Sequence, residues 1–105
     1  MKCAIRCCCL VLLSAICCTA TEPEHTFRPA AGYVPDEATA IKIALAVWAP
    51  IYGAAKIAGE KPYHAVLHRG VWTVTGSLLP QMKGGVALAK ISKEDGRIIR
   101  ISHGK

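Results

Sequence analysis

The stretch "HRGVWTVTGS", residues 68–77, decides the fold predicted for this chain. Large and small side chains alternate on either side of Trp72, and a period of two is typical of a β-strand whose two faces differ. Arg69 and Gly70 predict a tight turn directly before this strand. The residues before the turn, from Tyr63 onward, alternate in the same way, so this part of the chain predicts a β-hairpin.

The two faces of the second strand predict two different environments. Trp72, Val74 and Leu78 carry enough apolar bulk to pack against a helix, since one tryptophan alone can bury about 150–250 Å². The opposite face is a β-branched surface suited to solvent or to a partner, and it consists of Val71, Thr73, Thr75 and Ser77. The pattern therefore indicates a sheet that buries one face and leaves the other open.

A helix is predicted over residues 36–49. Asp36 and Glu37 place a capping side chain and an acid in the first turn, where they complement the helix dipole. Apolar side chains then recur at spacings of three and four, which is typical of one face of an amphipathic helix. They are Ile41, Ala44, Leu45, Trp48 and Tyr52. We expect Pro50 to end or kink the helix, because its ring clashes with the preceding turn.

Two more strands are predicted over residues 86–91 and 98–102. Between them, Asp95 and Gly96 predict a two-residue hairpin turn in which both residues take a positive φ. Residues 51–62 are turn-rich and are expected to connect the helix to the sheet, with room for one short helical turn. The predicted fold class is α+β, with one amphipathic helix packed on a four-stranded antiparallel meander.

The first 20 residues predict a secretory signal peptide. Lys2 and Arg6 precede an uncharged apolar run, and small residues end at Ala20, where cleavage is expected. The run is too short for a stable membrane span. The alternatives are a short membrane anchor and lipidation at Cys17 or Cys18, either of which would hold the protein in the envelope.

The signal predicts a periplasmic or secreted protein whose mature part lacks cysteine, because all six cysteines lie within the first 18 residues. Residues 21–35 contain three prolines and no periodicity, so they are interpreted as a flexible leader. The folded domain is placed at residues 36–105. A domain this small, without disulfides, must depend on tight packing or on association with a second copy, and a homodimer is left open.

The chain is moderately basic, with a formal net charge of +6. Five of the cations cluster in the last two predicted strands and their flanks, namely Lys83, Lys90, Lys93, Arg97 and Arg100. Export argues against a nucleic-acid partner, and cations on the outward side of a half-buried sheet explain the pattern as well. No nucleic-acid partner is therefore predicted.

Residue spacing argues against a metal centre or an enzyme. His64 and His68 would stand about 13 Å apart on a strand, too far to share one ion. His103 would approach His64 only if the first and last strands were neighbours, and a simple meander separates them. The acids near the helix start and in the last turn have structural explanations, and no nucleophile motif is present. No cofactor, metal or catalytic residue is predicted.

The order of motifs resembles the nuclear transport factor 2 fold immunity proteins of bacteria over residues 36–105. The resemblance rests on "WAPIYG", then "EKPYHAVLHRGVWTVTGSLLP", then "GGVALAKISKEDGRIIRISHGK". It implies a cone-like α+β fold, here in a reduced version because the chain has room for one long helix. It also implies a non-enzymatic protein that binds and neutralises a cognate toxin in competition between bacteria.

If the resemblance holds, an exported protector would meet its toxin in the periplasm. The toxin is then expected to contact the open sheet face and the C-terminal tail, through Thr73, Thr75, Lys90, Arg100, His103 and Lys105. The alternatives are a peptidase-propeptide-like (PepSY) inhibitor, which also pairs a helix with a meander ending in an Asp-Gly hairpin, and an envelope ligand-binding module.

Overall fold

A computed structural model describes residues 24–104 of the 105-residue chain. The elements in chain order are α1 (Glu37–Tyr52), α2 (Ala54–Ala58), β1 (His64–His68), β2 (Val71–Thr75), β3 (Ala87–Ser92) and β4 (Ile98–His103). The predicted signal peptide, its cleavage position, the two candidate lipidation cysteines and Lys105 lie outside the described residues.

The sheet is the predicted antiparallel meander, with its strands in the order β1-β2-β3-β4. Ala65 stands opposite Val74, Val74 opposite Ala89, and Ala89 opposite Ile101, so one register runs straight across all four strands. Helix α1 lies against β1, β2 and β3. The predicted α+β architecture is confirmed.

Helix α1 begins as predicted, with Asp36 as its N-cap. The Asp36 carboxylate accepts a hydrogen bond from the Thr39 N–H at 2.8 Å. Hydrogen bonds from the Thr39 side chain and backbone lower the pKa of Asp36. Of the two expectations for Pro50, an end of the helix is wrong, because α1 continues to Tyr52, and a kink stays a prediction. Pro50 lies in the last turn, where the helix gives up one hydrogen bond, and the Gly53 N–H still bonds the Ala49 carbonyl at 2.8 Å. The two extra residues bring the Tyr52 side chain against the core.

Small residues let α1 approach the sheet closely. Its most buried face consists of Ala40, Ala44 and Trp48, and it meets a sheet surface rich in alanine. The larger predicted contacts Ile41, Leu45 and Tyr52 flank this face and are only partly buried. The space between the helix and the sheet is filled by Trp48, Trp72, Val74 and Ile91. Trp72 is therefore core, as predicted.

One apolar position of the second strand was placed wrongly. Leu78 was expected to face the helix, but β2 ends at Thr75 and the Leu78 side chain is 42% exposed. The Ser77 N–H bonds the Glu60 carbonyl at 2.7 Å, which takes the chain out of the sheet before Leu78 is reached.

The last part of the predicted leader is packed into the domain. Val34 is buried, and its carbonyl accepts a 2.8 Å hydrogen bond from the Trp72 indole N–H. The N–H groups of Tyr33 and Val34 bond the carbonyls of Glu94 and Lys93. The packed domain thus begins before residue 36, because these bonds hold the segment against the β3–β4 turn.

One of the two predicted hairpin turns has the predicted geometry and the other does not. Arg69 (φ 51°) and Gly70 (φ 76°) both take a positive φ, so this two-residue turn is confirmed. At the β3–β4 turn only Gly96 has a positive φ, and the prediction that Asp95 would share it is wrong. Hydrogen bonds from Gly96 N–H to the Ser92 carbonyl and from Ser92 N–H to the Arg97 carbonyl close a longer loop instead.

Between residues 24 and 104, neither helix combines the length and the apolar character that crossing a bilayer would require.

Candidate functional site

The sheet face turned away from α1, which we call the outer face, carries most of the predicted binding residues. Across its middle, Val66 stands opposite Thr73, Thr73 opposite Lys90, and Lys90 opposite Arg100. These four residues form one row over all four strands, because residues at matching register positions share a face. The structure thus brings Thr73, Lys90 and Arg100 together as neighbours.

A second row crosses the outer face beside the first. Thr75 lies between His64 and Leu88, and Leu88 is opposite Ser102. Thr75 therefore belongs to the same surface as Lys90 but is not its direct neighbour. The outer face combines β-branched, hydroxyl and cationic side chains, and Val66 on it is 64% exposed.

The two cations of the middle row are available to a partner. The ion pairs found among residues 24–104 are Arg97 with Asp95 and His103 with Glu60, so neither Lys90 nor Arg100 is in one of them. Asp95, at the end of the sheet, accepts hydrogen bonds from the Arg97 backbone and guanidinium, and these contacts lower its pKa. The Asp95 carboxylate is thereby engaged by its own neighbour, and the middle row places two cations side by side.

His103 lies away from the outer face. It stands opposite Ala87, which is buried on the helix side, and its ring is 5.1 Å from that of Tyr52 between centroids. The His103 Nε2 is 2.7 Å from Glu60 Oε2, and Nδ1 is 2.8 Å from the Gly104 carbonyl oxygen. The predicted tail contacts are thus separated from the sheet face, since His103 is turned inward and Lys105 is outside the described residues.

Glu60 is the polar centre of this cluster and was given no role by the sequence analysis. Its side chain is only 11% exposed. Oε1 accepts a 2.8 Å hydrogen bond from the Ala87 N–H, at the point where the β2–β3 ladder ends. Because Oε2 holds His103, one carboxylate joins the start of β3 to the end of β4. A polar group buried to this degree needs such hydrogen-bond partners.

Two glycines make room for the cluster. A side chain at Gly76 would collide with the Glu60 carboxylate, and one at Gly85 would collide with the backbone of Gly104. The glycines at these positions therefore permit close backbone approach at the end of the sheet.

A groove of about 410 Å³ opens beside the Glu60–His103 pair, between α2 and the β2–β3 loop. Its rim carries the exposed side chains of Leu78, Leu79 and Met82. Both nitrogens of His103 are within hydrogen-bond distance of acceptors, and both contacts are satisfied together when the ring carries two protons. General-base catalysis or metal ligation would need a free ring nitrogen. In this conformation the pair is suited to holding strands together.

The histidines do not converge on a common site. His64 and His103 lie on β1 and β4, which are the opposite edges of the sheet. Over the described range 24–104, no group of three or more His, Cys, Asp or Glu side chains is placed to hold a metal ion.

The structure is a small α+β domain with two cations on the open face of its sheet. A family model described as NTF2 fold immunity protein matches residues 39–105, which include nearly all of α1, the whole of α2 and all four strands. The chain belongs to this family. The resemblance stated from the sequence is confirmed, and the family comparison favours it over the peptidase-propeptide-like alternative.

A search among curated proteins gives one informative relative. The uncharacterized protein YhhH of Escherichia coli (strain K12) is 34% identical over 86 residues, which are 81% of this chain and 65% of that protein. The chain thus spans slightly less than two thirds of the length of the relative. No solved structure matches this chain.

Proposed function

We propose that this protein is an exported immunity protein that neutralises a cognate bacterial toxin by binding it directly, without catalysis. The observation that carries this proposal is the family match, which spans both helices and the whole sheet. Direct binding needs only a surface that fits the toxin, and the sheet face turned away from α1 is open to a partner.

The outer face is the proposed binding surface. Its middle row presents the Lys90 and Arg100 cations beside the Thr73 hydroxyl, and α1 lies on the opposite side of the sheet. A surface of one charge sign attracts a partner of the opposite sign and speeds its association. We therefore expect the toxin to present carboxylates to this face.

Export is the second part of the proposal. Its support is the N-terminal sequence alone, where two cations, an apolar run and small residues ending at Ala20 have the order of a signal peptide. A protector released into the periplasm would meet toxins that act on the envelope or pass through it. Lipidation at Cys17 or Cys18 would keep the same protector on the membrane surface.

The test uses the toxin domain that the proposal expects the neighbouring gene in the source genome to encode. The domain is expressed in a susceptible strain with and without the immunity protein, and growth is recorded. We expect growth to be restored only in the presence of the protein, together with a stable one-to-one complex of the purified pair. Continued killing, with a well-folded protector and no complex, would contradict the proposal.

Charge reversal then tests the surface. We expect the double variant Lys90→Glu, Arg100→Glu to weaken toxin binding by about 100-fold at low salt, because two attractive contacts become repulsive. The matched control is Lys42→Glu, Lys56→Glu, which changes the net charge equally on the helices. Equal losses in both variants would mean that net charge matters and that the outer face is not the interface.

A further inference from the structure

The free edge of β4 is the feature that points beyond the proposed function. Strand β4 pairs only with β3, and within residues 24–104 no strand lies on its other side. An edge strand presents unpaired N–H and C=O groups that can accept another strand. Barriers to such pairing are few here, since the six residues of β4 include no proline and one charged side chain, Arg100.

The hydrogen-bond pattern shows which backbone groups of β4 point outward. The Gly104 N–H bonds the Val86 carbonyl at 3.2 Å, so this pair faces inward to β3. Hydrogen-bonded pairs alternate along an antiparallel ladder. Ser102 and Arg100 therefore also bond towards β3, while Ile101 and His103 direct their N–H and C=O groups to the free edge.

The side chains at this edge are unusually apolar for an exposed strand. Ile98 is 39% and Ile99 is 45% exposed. The register with β3 shifts between Lys90 and Ile91, where Lys90 pairs with Arg100 and Ile91 with Ile98, so Ile99 is the extra residue of a bulge. After the bulge the strand is regular to its end, and an added strand could pair with this part.

The opposite edge, β1, is a weaker candidate. It also exposes apolar side chains, with Val66 64% and Leu67 41% exposed. However, β1 lies under α1, and the cations of the outer face are at the β3–β4 side of the sheet. A partner that docks on Lys90 and Arg100 reaches the edge of β4 first.

We propose that the toxin adds an extended segment to the free edge of β4, so that the complex contains a continuous five-stranded sheet. This inference rests on the proposed function, since it names how the toxin is held. Residues of the segment that share the outer face with Arg100 carry carboxylates. The alternating residues, on the side of Ile101, are apolar.

Amide hydrogen exchange tests the pairing directly, in the complex of the full chain with the toxin domain from the neighbouring gene. We expect the amides of Ile101 and His103 to exchange at least about tenfold more slowly in the complex than in the free protein, because each gains a hydrogen bond. The amide of Leu67 is the internal control, since alternation along β1 points it towards the other free edge. Its exchange rate should not change.

A variant pair provides the second measurement. Ile101→Pro removes an N–H that points outward, so the β3–β4 ladder keeps its hydrogen bonds. Ile101→Val keeps that N–H and removes one methylene. We expect the proline variant to bind the toxin at least about 30-fold more weakly and the valine variant to bind within about threefold of the unmodified protein. If the proline variant does not fold, hydrogen exchange in the unsubstituted complex tests the strand pairing instead.

Three outcomes would overturn the inference. If the Ile101 and His103 amides exchange as fast in the complex as in the free protein, the proposed strand pairing is wrong and the proposed function stands. If no complex forms at all, both the strand pairing and the proposed function are contradicted. Protection of these amides that rises with the concentration of the free protein would assign the edge to a second copy of this chain instead.

Discussion

At the scale of single residues, Glu60 connects parts of the chain that are far apart in sequence. Its carboxylate accepts hydrogen bonds from the Ala87 N–H and contacts His103, which lies 43 positions further along the chain. The Glu60 carbonyl also accepts from Ser77. One residue between α2 and β1 thus connects the ends of β2, β3 and β4, and the C-terminal strand is held in register at its last position.

We expect Glu60→Ala to lower the free energy of unfolding by about 3 kcal/mol, because it leaves a buried N–H and a partly buried imidazole without their acceptor. Glu60→Gln should cost less, since its amide oxygen still accepts from Ala87 and its amide N–H can donate to neutral His103. Urea denaturation of the three proteins measures the difference. Equal stability of the alanine variant and the unmodified protein would show that the cluster does not support the fold.

At the scale of elements, the β1–β2 hairpin is closed by an unusual residue. Arg69 has a φ of 51°, a conformation that costs most side chains about 1–2 kcal/mol and that asparagine or glycine adopts more readily. The Arg69 side chain is exposed and lines a groove of about 470 Å³ with Lys93 and Arg97. The turn is therefore strained at a residue that the core does not use.

We expect Arg69→Asn to raise the free energy of unfolding by about 0.5–1 kcal/mol, because asparagine relieves the strain at the turn. Arg69→Ala is the matched control, since alanine removes the same charge and keeps the unfavourable φ. Chemical denaturation of both variants gives the comparison. If alanine stabilises the protein as much as asparagine does, then loss of charge is the cause and the strain argument is wrong.

The elements could be predicted where one local pattern determines them. The alternation around Trp72 and the cap at Asp36 each involve residues close in sequence. The order of the strands could be predicted because short turns join neighbouring strands. The end of α1 was missed because the helix tolerates Pro50 in its last turn, where only one hydrogen bond is lost. The β3–β4 turn was missed because an Asp-Gly pair also fits a longer loop in which glycine alone has a positive φ.

The candidate site could be predicted only in part, because only some of its residues belong to a local pattern. The outer-face row of Thr73, Lys90 and Arg100 follows from strand periodicity and a meander order. The inward position of His103 does not, because it depends on Glu60, which has no periodic neighbour and lies in a turn-rich connector. The one signal in the sequence is an acid between Gly59 and Lys61, two positions before a proline, and this pattern is equally compatible with an exposed turn.

At the scale of the whole molecule, the folded domain is larger than the periodic part of the sequence. The segment ending at Val34 has no helix or strand, and it nevertheless closes the core at the end of the sheet. Val34 is 1% exposed, and its carbonyl is the acceptor for the buried Trp72 indole. Lys93 also donates from its ammonium group to the Ala31 carbonyl. The family match begins at residue 39 and omits this segment.

A protein that begins at residue 36 should therefore be less stable than one that begins at residue 24, by at least about 2 kcal/mol, since it loses the burial of Val34 and leaves the Trp72 N–H without an acceptor. Thermal and urea denaturation of the two lengths provide the measurement. Val34→Ala in the longer protein separates the burial of the side chain from the hydrogen bond to Trp72, because it shortens the side chain and keeps the carbonyl. This variant should lose less stability than the truncated protein. Equal stability of the two lengths would place the domain boundary at Asp36 after all, and the contacts of residues 31–34 would then add nothing to the fold.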